Sequence, residues 1–267
     1  MSVFSSSVRT AAIVARLRAA GCVFAEDEAE LLLSTASTPA DLDAMVARRV
    51  AGEPLEHVLG WAEFCGLRVY VEPGVFVPRP RTAFLIEAAV ALAREVEGTP
   101  VVLDMCCGTG AMGAAVAAGL PRAELHAADL DPAAVRCARR NLAGSAAVYE
   151  GDLYDPLPLT LRGRVDLLIA SPPYVPSESV GLLPPEARLH EPLLALDGGA
   201  DGLDVVRRVI AGAPTWLAPG GRLLVETSER QAEATAESVR AAGLAAQVAI
   251  SDDLDATAVI GTRHRDG

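Results

Sequence analysis

The stretch Val101-Val102-Leu103-Asp104-Met105-Cys106-Cys107-Gly108-Thr109-Gly110-Ala111-Met112-Gly113 decides how this chain folds. Residues 101–104 form a short apolar run that ends in an acid, as a buried strand does. The small residues behind it must then turn sharply into a helix read over residues 110–118. Glycines in such a turn let the main chain approach a bound group closely, just beyond the carboxyl ends of the strands, where open α/β sheets hold their ligands.

Outward from this turn the pattern alternates. Strands are read at 124–129, near Val148 and at 165–170, and helices at 82–95, 132–142 and near 203–217. Asp131 and Pro132 supply an N-cap and a first helical position. A strand at 223–226, a helix at 230–242 and two closing runs at 245–250 and 257–262 complete the chain. The turn-rich Ser251-Asp252-Asp253 brings those last runs close enough to pair antiparallel. Alternation of this kind specifies an α/β fold with a doubly wound, Rossmann-like parallel sheet.

Upstream, residues 8–20, 26–34 and 38–50 carry apolar positions at helical spacing. A small helical N-terminal domain is therefore expected over residues 1–60. Residues 61–77 change to extended runs at 67–71 and 75–77, punctuated by Pro73-Gly74, and read as a β-hairpin linker. Residues 78–267 then form the cofactor-binding domain.

Composition narrows the chemistry. The chain has 267 residues, 51% of them hydrophobic, which is enough to bury an ordinary core. Its net charge of -12 opposes direct nucleic-acid binding, which draws most of its affinity from cations on phosphates. All 23 basic residues are arginine, so Schiff-base, Walker and kinase lysines are excluded. The five cysteines show no C-x-x-C spacing and the four histidines stand singly, so no metal site is expected. No apolar run reaches the length of a membrane span, and the expected setting is the cytoplasm. The richness in Ala, Arg, Gly and Pro is that of a GC-rich bacterial genome.

The second strand of the alternating region ends in Asp129, 19 residues after Gly110. An acid there accepts both ribose hydroxyls of an adenosine cofactor. Two cofactors satisfy the pattern. Gly108, Gly110 and Gly113 fit the dinucleotide G-x-G-x-x-G spacing. Asp104 ahead of the turn would face a pyrophosphate unfavourably and suits the ammonium of a methionyl group, as in S-adenosyl-L-methionine. Cys106 and Cys107 serve as small residues, because adjacent cysteines rarely form a relaxed disulfide.

The strand at 165–170 delivers Ser171-Pro172-Pro173-Tyr174 to the same rim. Methyl transfer from a sulfonium is a direct displacement, and an amide or aromatic amine is a poor nucleophile for it. Two acceptors placed on the N–H groups would orient the nitrogen and stabilise its developing charge. The Ser171 side chain and a carbonyl of the Pro172-Pro173 segment can supply them, and the Tyr174 ring can carry a flat acceptor group. Ser171, Pro172 and Tyr174 are thus the candidate catalytic residues. Without its upstream partners the same stretch would be a packing loop.

Together these residues resemble the HemK/PrmC group of protein-(glutamine-N5) methyltransferases, which modify peptide-chain release factors. The likeness runs from Gly52-Glu53-Pro54-Leu55-Glu56-His57-Val58-Leu59-Gly60 through Glu63-Phe64 and Val77-Pro78-Arg79-Pro80. It continues through the glycine turn, Asp129 and the proline-rich loop to His190-Glu191-Pro192 and Ala195-Leu196. The resemblance implies that Cys106, Cys107, Gly108, Thr109 and Gly110 wrap the methionyl end of S-adenosyl-L-methionine, whose ammonium Asp104 suits by its position. It further implies that Asp129 holds the ribose and that Asp152 and Leu153 flank the adenine. Ser171, Pro172, Pro173 and Tyr174, with Arg79, would bind a glutamine amide of a protein substrate such as a release factor, gripped in part by the helical domain. The product would be S-adenosyl-L-homocysteine.

Four positions depart from the family pattern. Ser171 replaces Asn, Cys106 replaces Gly, Leu153 replaces a large aromatic, and Arg81-Thr82-Ala83 replaces an acid followed by Thr-Glu. The Ser171 hydroxyl still accepts a hydrogen bond but reaches less far than a carboxamide. Serine at this place is also common in methyltransferases acting on the amino group of DNA cytosine, a role the acidic charge opposes. The alternatives are N-methylation of a small molecule or another protein, a non-catalytic cofactor-binding protein, and an NAD-dependent oxidoreductase.

Overall fold

The computed structural model describes residues 3–265. Four helices come first: α1 (Val3–Ala19), α2 (Ala25–Thr35), α3 (Pro39–Val50) and the single turn α4 (Leu55–Leu59). Thr38 caps α3 by accepting the Asp41 amide, with Pro39 at the first helical position, as its sequence announces. Leu17, Ala25, Ala29, Leu32 and Val46 meet at 0% exposure, so these helices enclose a core of their own.

The hairpin differs from the sequence expectation. Strand β1 (Trp61–Phe64) pairs antiparallel with β2 (Leu67–Tyr70), whereas Val75 to Val77 forms no strand. The turn is Cys65-Gly66, with φ of 49° and 74°. Positive φ at both central residues gives the turn whose twist matches a two-residue hairpin, and it overrides the more conspicuous Pro73-Gly74.

A 3-10 turn at Pro80–Thr82 leads into α5 (Ala83–Ala93), and the alternating region follows: β3 (Val101–Met105), α6 (Ala111–Gly119), β4 (Glu124–Asp129), α7 (Pro132–Asn141), β5 (Ala146–Glu150) and β6 (Val165–Ala170). Next come α8 (Pro185–His190), α9 (Asp204–Trp216), β7 (Leu217–Thr227), α10 (Ala232–Ala241), β8 (Ala245–Ser251) and β9 (Ala256–Thr262). The sheet runs β5-β4-β3-β6-β7-β9-β8, with β9 antiparallel to both β7 and β8. The expected closing pair therefore forms, and β9 lies inside the edge strand β8.

Both faces of the sheet are buried, and side chains alternate between them. Leu103, Met105, Leu168, Leu223 and Val225 pack with Val206, Ile210 and Trp216 of α9 and Val239 of α10. Val102, Leu167, Ile169 and Leu224 pack with Ile86 of α5, Val116 of α6 and Ala138 of α7. Chain order places β3 beside β6, with β4 and β5 on one side and β7 on the other. That β3/β6 junction is the switch point of the sheet, where a crevice opens at the carboxyl ends of the strands. Met105 pairs with Ala170 in register, so Cys106 and Ser171 leave the sheet side by side.

Candidate active site

A cavity of about 750 Å³ occupies this crevice. Cys106, Gly108, Asp129, Leu130, Asp152 and Leu153 line one half, and Phe76, Arg79, Arg81 and residues 171–174 line the other. The ligand-binding crevice and the proline-rich loop of the sequence reading thus share one space.

On the first half the turn after β3 is held from below. Asp129 Oδ2 accepts the Gly108 amide at 2.8 Å and Oδ1 accepts the Asp131 amide at 2.9 Å. Burial raises the Asp129 carboxyl above its ordinary range, against the opposing pull of these amides. Cys106 takes φ of 58°, a left-handed conformation normally left to glycine. Gly110, at φ 77°, lies against α7: a Cβ there would sit 3.0 Å from Ala138 Cα. Thr109 is buried and faces a smaller pocket with Cys107, while its carbonyl accepts from Asn141 Nδ2 at 2.8 Å. Thr109 and Gly110 shape the turn and do not line the main cavity.

Asp104 is wholly buried beneath that turn. Its Oδ2 accepts the Gly113 amide at 2.8 Å, and its Oδ1 has no hydrogen-bond partner. Burial pushes its carboxyl up to about 8. Farther along, Leu153 holds φ of 47° at the cavity wall, and Asp152 pairs with Arg208 at 2.6 Å. Burial raises the thiols of Cys106 and Cys107 well above their ordinary range.

The second half is built by the loop after β6. Tyr174 O accepts from Gln231 Nε2 at 2.9 Å, Val175 N donates to Leu196 O at 3.1 Å, and Val175 O accepts the Gly198 amide at 2.8 Å. Gly198 and Gly202 make this fit possible, because a Cβ on Gly202 would lie 2.3 Å from Tyr174 O and one on Gly198 2.7 Å from Pro173 O. Ahead of the anchored part, neither Ser171 Oγ nor the Pro172 carbonyl has a partner among the described residues. The loop is fixed at one end and offers two free acceptors at the other.

Tyr174 is locked by its hydroxyl, which donates to Glu226 Oε1 at 3.1 Å and accepts from Arg81 Nη2 at 3.0 Å. Burial and the Glu226 carboxylate push its phenol up to about 12. Glu226 also accepts from Thr82 Oγ1 at 2.7 Å. On the same half, Arg79 Nη2 donates to Glu191 Oε2 at 2.5 Å. Glu226 and Gln231 were not singled out from the sequence; the signal was there in Glu226 ending the strand at 223–226 on the same rim.

Known proteins share this fold. A methyltransferase from Pyrococcus furiosus superposes with a TM-score of 0.55 at 17% identity, covering 84% of this chain and 99% of its own, which establishes the fold. The Methyltransferase small domain family matches residues 66–182, the span from the hairpin turn past the proline-rich loop. The family model, with the relatives that follow, makes the chain a methyltransferase, which decides against the nicotinamide reading of Gly108, Gly110 and Gly113.

A release factor glutamine methyltransferase from Cereibacter sphaeroides is 40% identical over 264 residues, 91% of this chain and 92% of that protein. The chain belongs to the release factor glutamine methyltransferase family. A Streptomyces pristinaespiralis protein described as a 4-amino-L-phenylalanine/4-methylamino-L-phenylalanine methyltransferase is also similar, at 38% identity over 224 residues, covering 77% of the chain and 75% of that protein.

Proposed function

We propose that this chain uses S-adenosyl-L-methionine to methylate the side-chain amide nitrogen of a glutamine in a peptide-chain release factor or a similar protein. The observation that carries the reading is the pair of free acceptors, Ser171 Oγ and Pro172 O, on an anchored loop facing the cleft. The acid of Asp129, on the cavity wall, suits ribose hydroxyls, while Asp104 Oδ1, buried and unpartnered beneath the turn, lies outside the cavity lining. The residues present therefore fit the cofactor.

The cofactor supplies an electrophilic methyl group. Nitrogen–carbon bond formation would be matched by carbon–sulfur bond cleavage, with S-adenosyl-L-homocysteine as the leaving group and one proton passing from the methylated nitrogen to solvent. Ser171 and the Pro172 carbonyl orient the N–H groups and stabilise the positive charge growing on nitrogen. Pro173 stiffens the segment, the Tyr174 ring supports the planar amide, and Arg79 borders it. Cys106, Gly108, Asp152 and Leu153 enclose the other end, while Cys107, Thr109 and Gly110 hold the turn in shape. The helices of residues 1–60 would help grip the protein substrate, through a hairpin linker at 61–77 to the methyltransferase domain at 78–267. None of the described helices is long and apolar enough to cross a membrane. Action in the bacterial cytoplasm is part of the proposal, since release factors work there.

Incubation with a methyl-labelled donor and a release factor, followed by mass mapping of peptides, tests the reading. One added methyl on a glutamine supports it; an unmodified glutamine beside a working family member contradicts it.

A second reading is N-methylation of an arylamine, the class of substrate in the description of the S. pristinaespiralis relative. Ser171 and the Arg81-Thr82-Ala83 departure favour it, because they alter reach and charge on the acceptor half.

A further inference from the structure

The acceptor half of the cleft shows guanidinium where it could show carboxylate. Glu191 and Glu226 have side chains only 1% and 6% exposed, and each lies behind an arginine, Arg79 and Arg81, that keeps 31% and 46% of its own side chain exposed. These two acids are covered by their partners, so at these two positions a guanidinium and not a carboxylate faces the cleft. Glu186, also on the wall, is paired with Arg49 at 2.6 Å.

Arg81 is held in place on one edge: its Nη2 donates to Tyr174 and its Nε lies 3.6 Å from Glu226 Oε1. Its Nη1 makes no hydrogen bond among the described residues. A guanidinium fixed along one edge and free at its tip is preorganised for an oxygen anion, and loses little side-chain freedom in binding it. Its link to Tyr174 places it beside the same loop that offers Ser171 Oγ and the Pro172 carbonyl.

We propose that Arg81 determines acceptor specificity by binding a carboxylate carried on the same small molecule as the methylated amine, as in a free amino acid with an amino-substituted ring. This rests on the second reading above. In it the ring amine lies at Ser171 and Pro172, the ring against Tyr174, and the α-carboxylate on the free tip of Arg81. The methyl-transfer step is unchanged.

The test compares 4-amino-L-phenylalanine with its methyl ester, which keeps the amine and removes the anion. The wild-type chain should show a KM about ten- to a hundredfold lower for the free acid, with kcat little changed, the range expected for one charge-assisted contact. Arg81→Gln should erase that preference and Arg81→Lys should restore part of it. Calorimetry of the same variants loaded with S-adenosyl-L-homocysteine should show the same order in acid binding, whether or not turnover is measurable.

Equal KM for acid and ester in the wild type would overturn the proposal. So would an Arg81→Gln effect of the same size on both probes, since that is what loosening Tyr174 alone would do. Methylation of a release factor with neither probe bound would overturn it too, while leaving methyl transfer intact. Loss of S-adenosyl-L-methionine binding to the wild-type chain, read in the same calorimeter, would instead sink the reading on which it rests.

Discussion

Asp104 joins a legible sequence position to a property that only folding creates. An acid at the end of the first strand is visible in the sequence, but its isolation under the turn depends on how α6 packs over it. Its carboxyl is raised from 3.8 to about 8, so the folded chain keeps a proton that the unfolded chain releases between those values. The associated stability is full below pH 4 and is lost as pH rises toward 8. Urea unfolding should show this decline in the wild type and a flatter profile in Asp104→Asn. Cofactor binding, if it places an ammonium there, has the opposite dependence and should strengthen in the wild type as pH rises toward 8. Cys106 is a similar case. The sequence shows a cysteine in the turn, and only the backbone, at φ 58°, reveals a conformation that ordinarily favours glycine.

At the scale of elements, strands ending at a common rim were readable because apolar runs between helices leave little choice of order. The strand at 165–170 and its loop were placed correctly for that reason. The hairpin was misread because Pro73-Gly74 is a stronger turn signal than Cys65-Gly66, although the latter sets the pairing. What anchors the loop was not readable: Gln231 lies 57 residues from Tyr174 and Thr82 lies 144 from Glu226, contacts that no local pattern encodes. Gly202 tests that anchoring. It has φ of 80°, and a Cβ there would fall 2.3 Å from Tyr174 O and 2.4 Å from Gln231 Nε2. Gly202→Ala should shift the loop and lower kcat by about a hundredfold, the cost of a displacement near 1 Å, with cofactor affinity unchanged in calorimetry.

Across the whole molecule, one side chain ties the N-terminal helices to the wall of the cleft. Arg49 at the end of α3, 7% exposed, donates to both oxygens of Glu28 on α2, at 2.6 and 3.0 Å, and to Glu186 on α8 at 2.6 Å. Arg49→Ala would strand the buried Glu28 and should cost about 3–5 kcal/mol in urea unfolding. Glu186→Gln, at the exposed partner, should cost no more than about 1 kcal/mol. Central to the proposed function is a cleft divided into a cofactor half and an acceptor half. Cofactor calorimetry and single-turnover methyl transfer, run side by side on Asp129→Ala and Ser171→Ala, test it most directly. Asp129→Ala should lose cofactor binding; Ser171→Ala should bind the cofactor normally and transfer methyl about a hundredfold more slowly. Full transfer by Ser171→Ala, or normal cofactor binding by Asp129→Ala, would contradict the division.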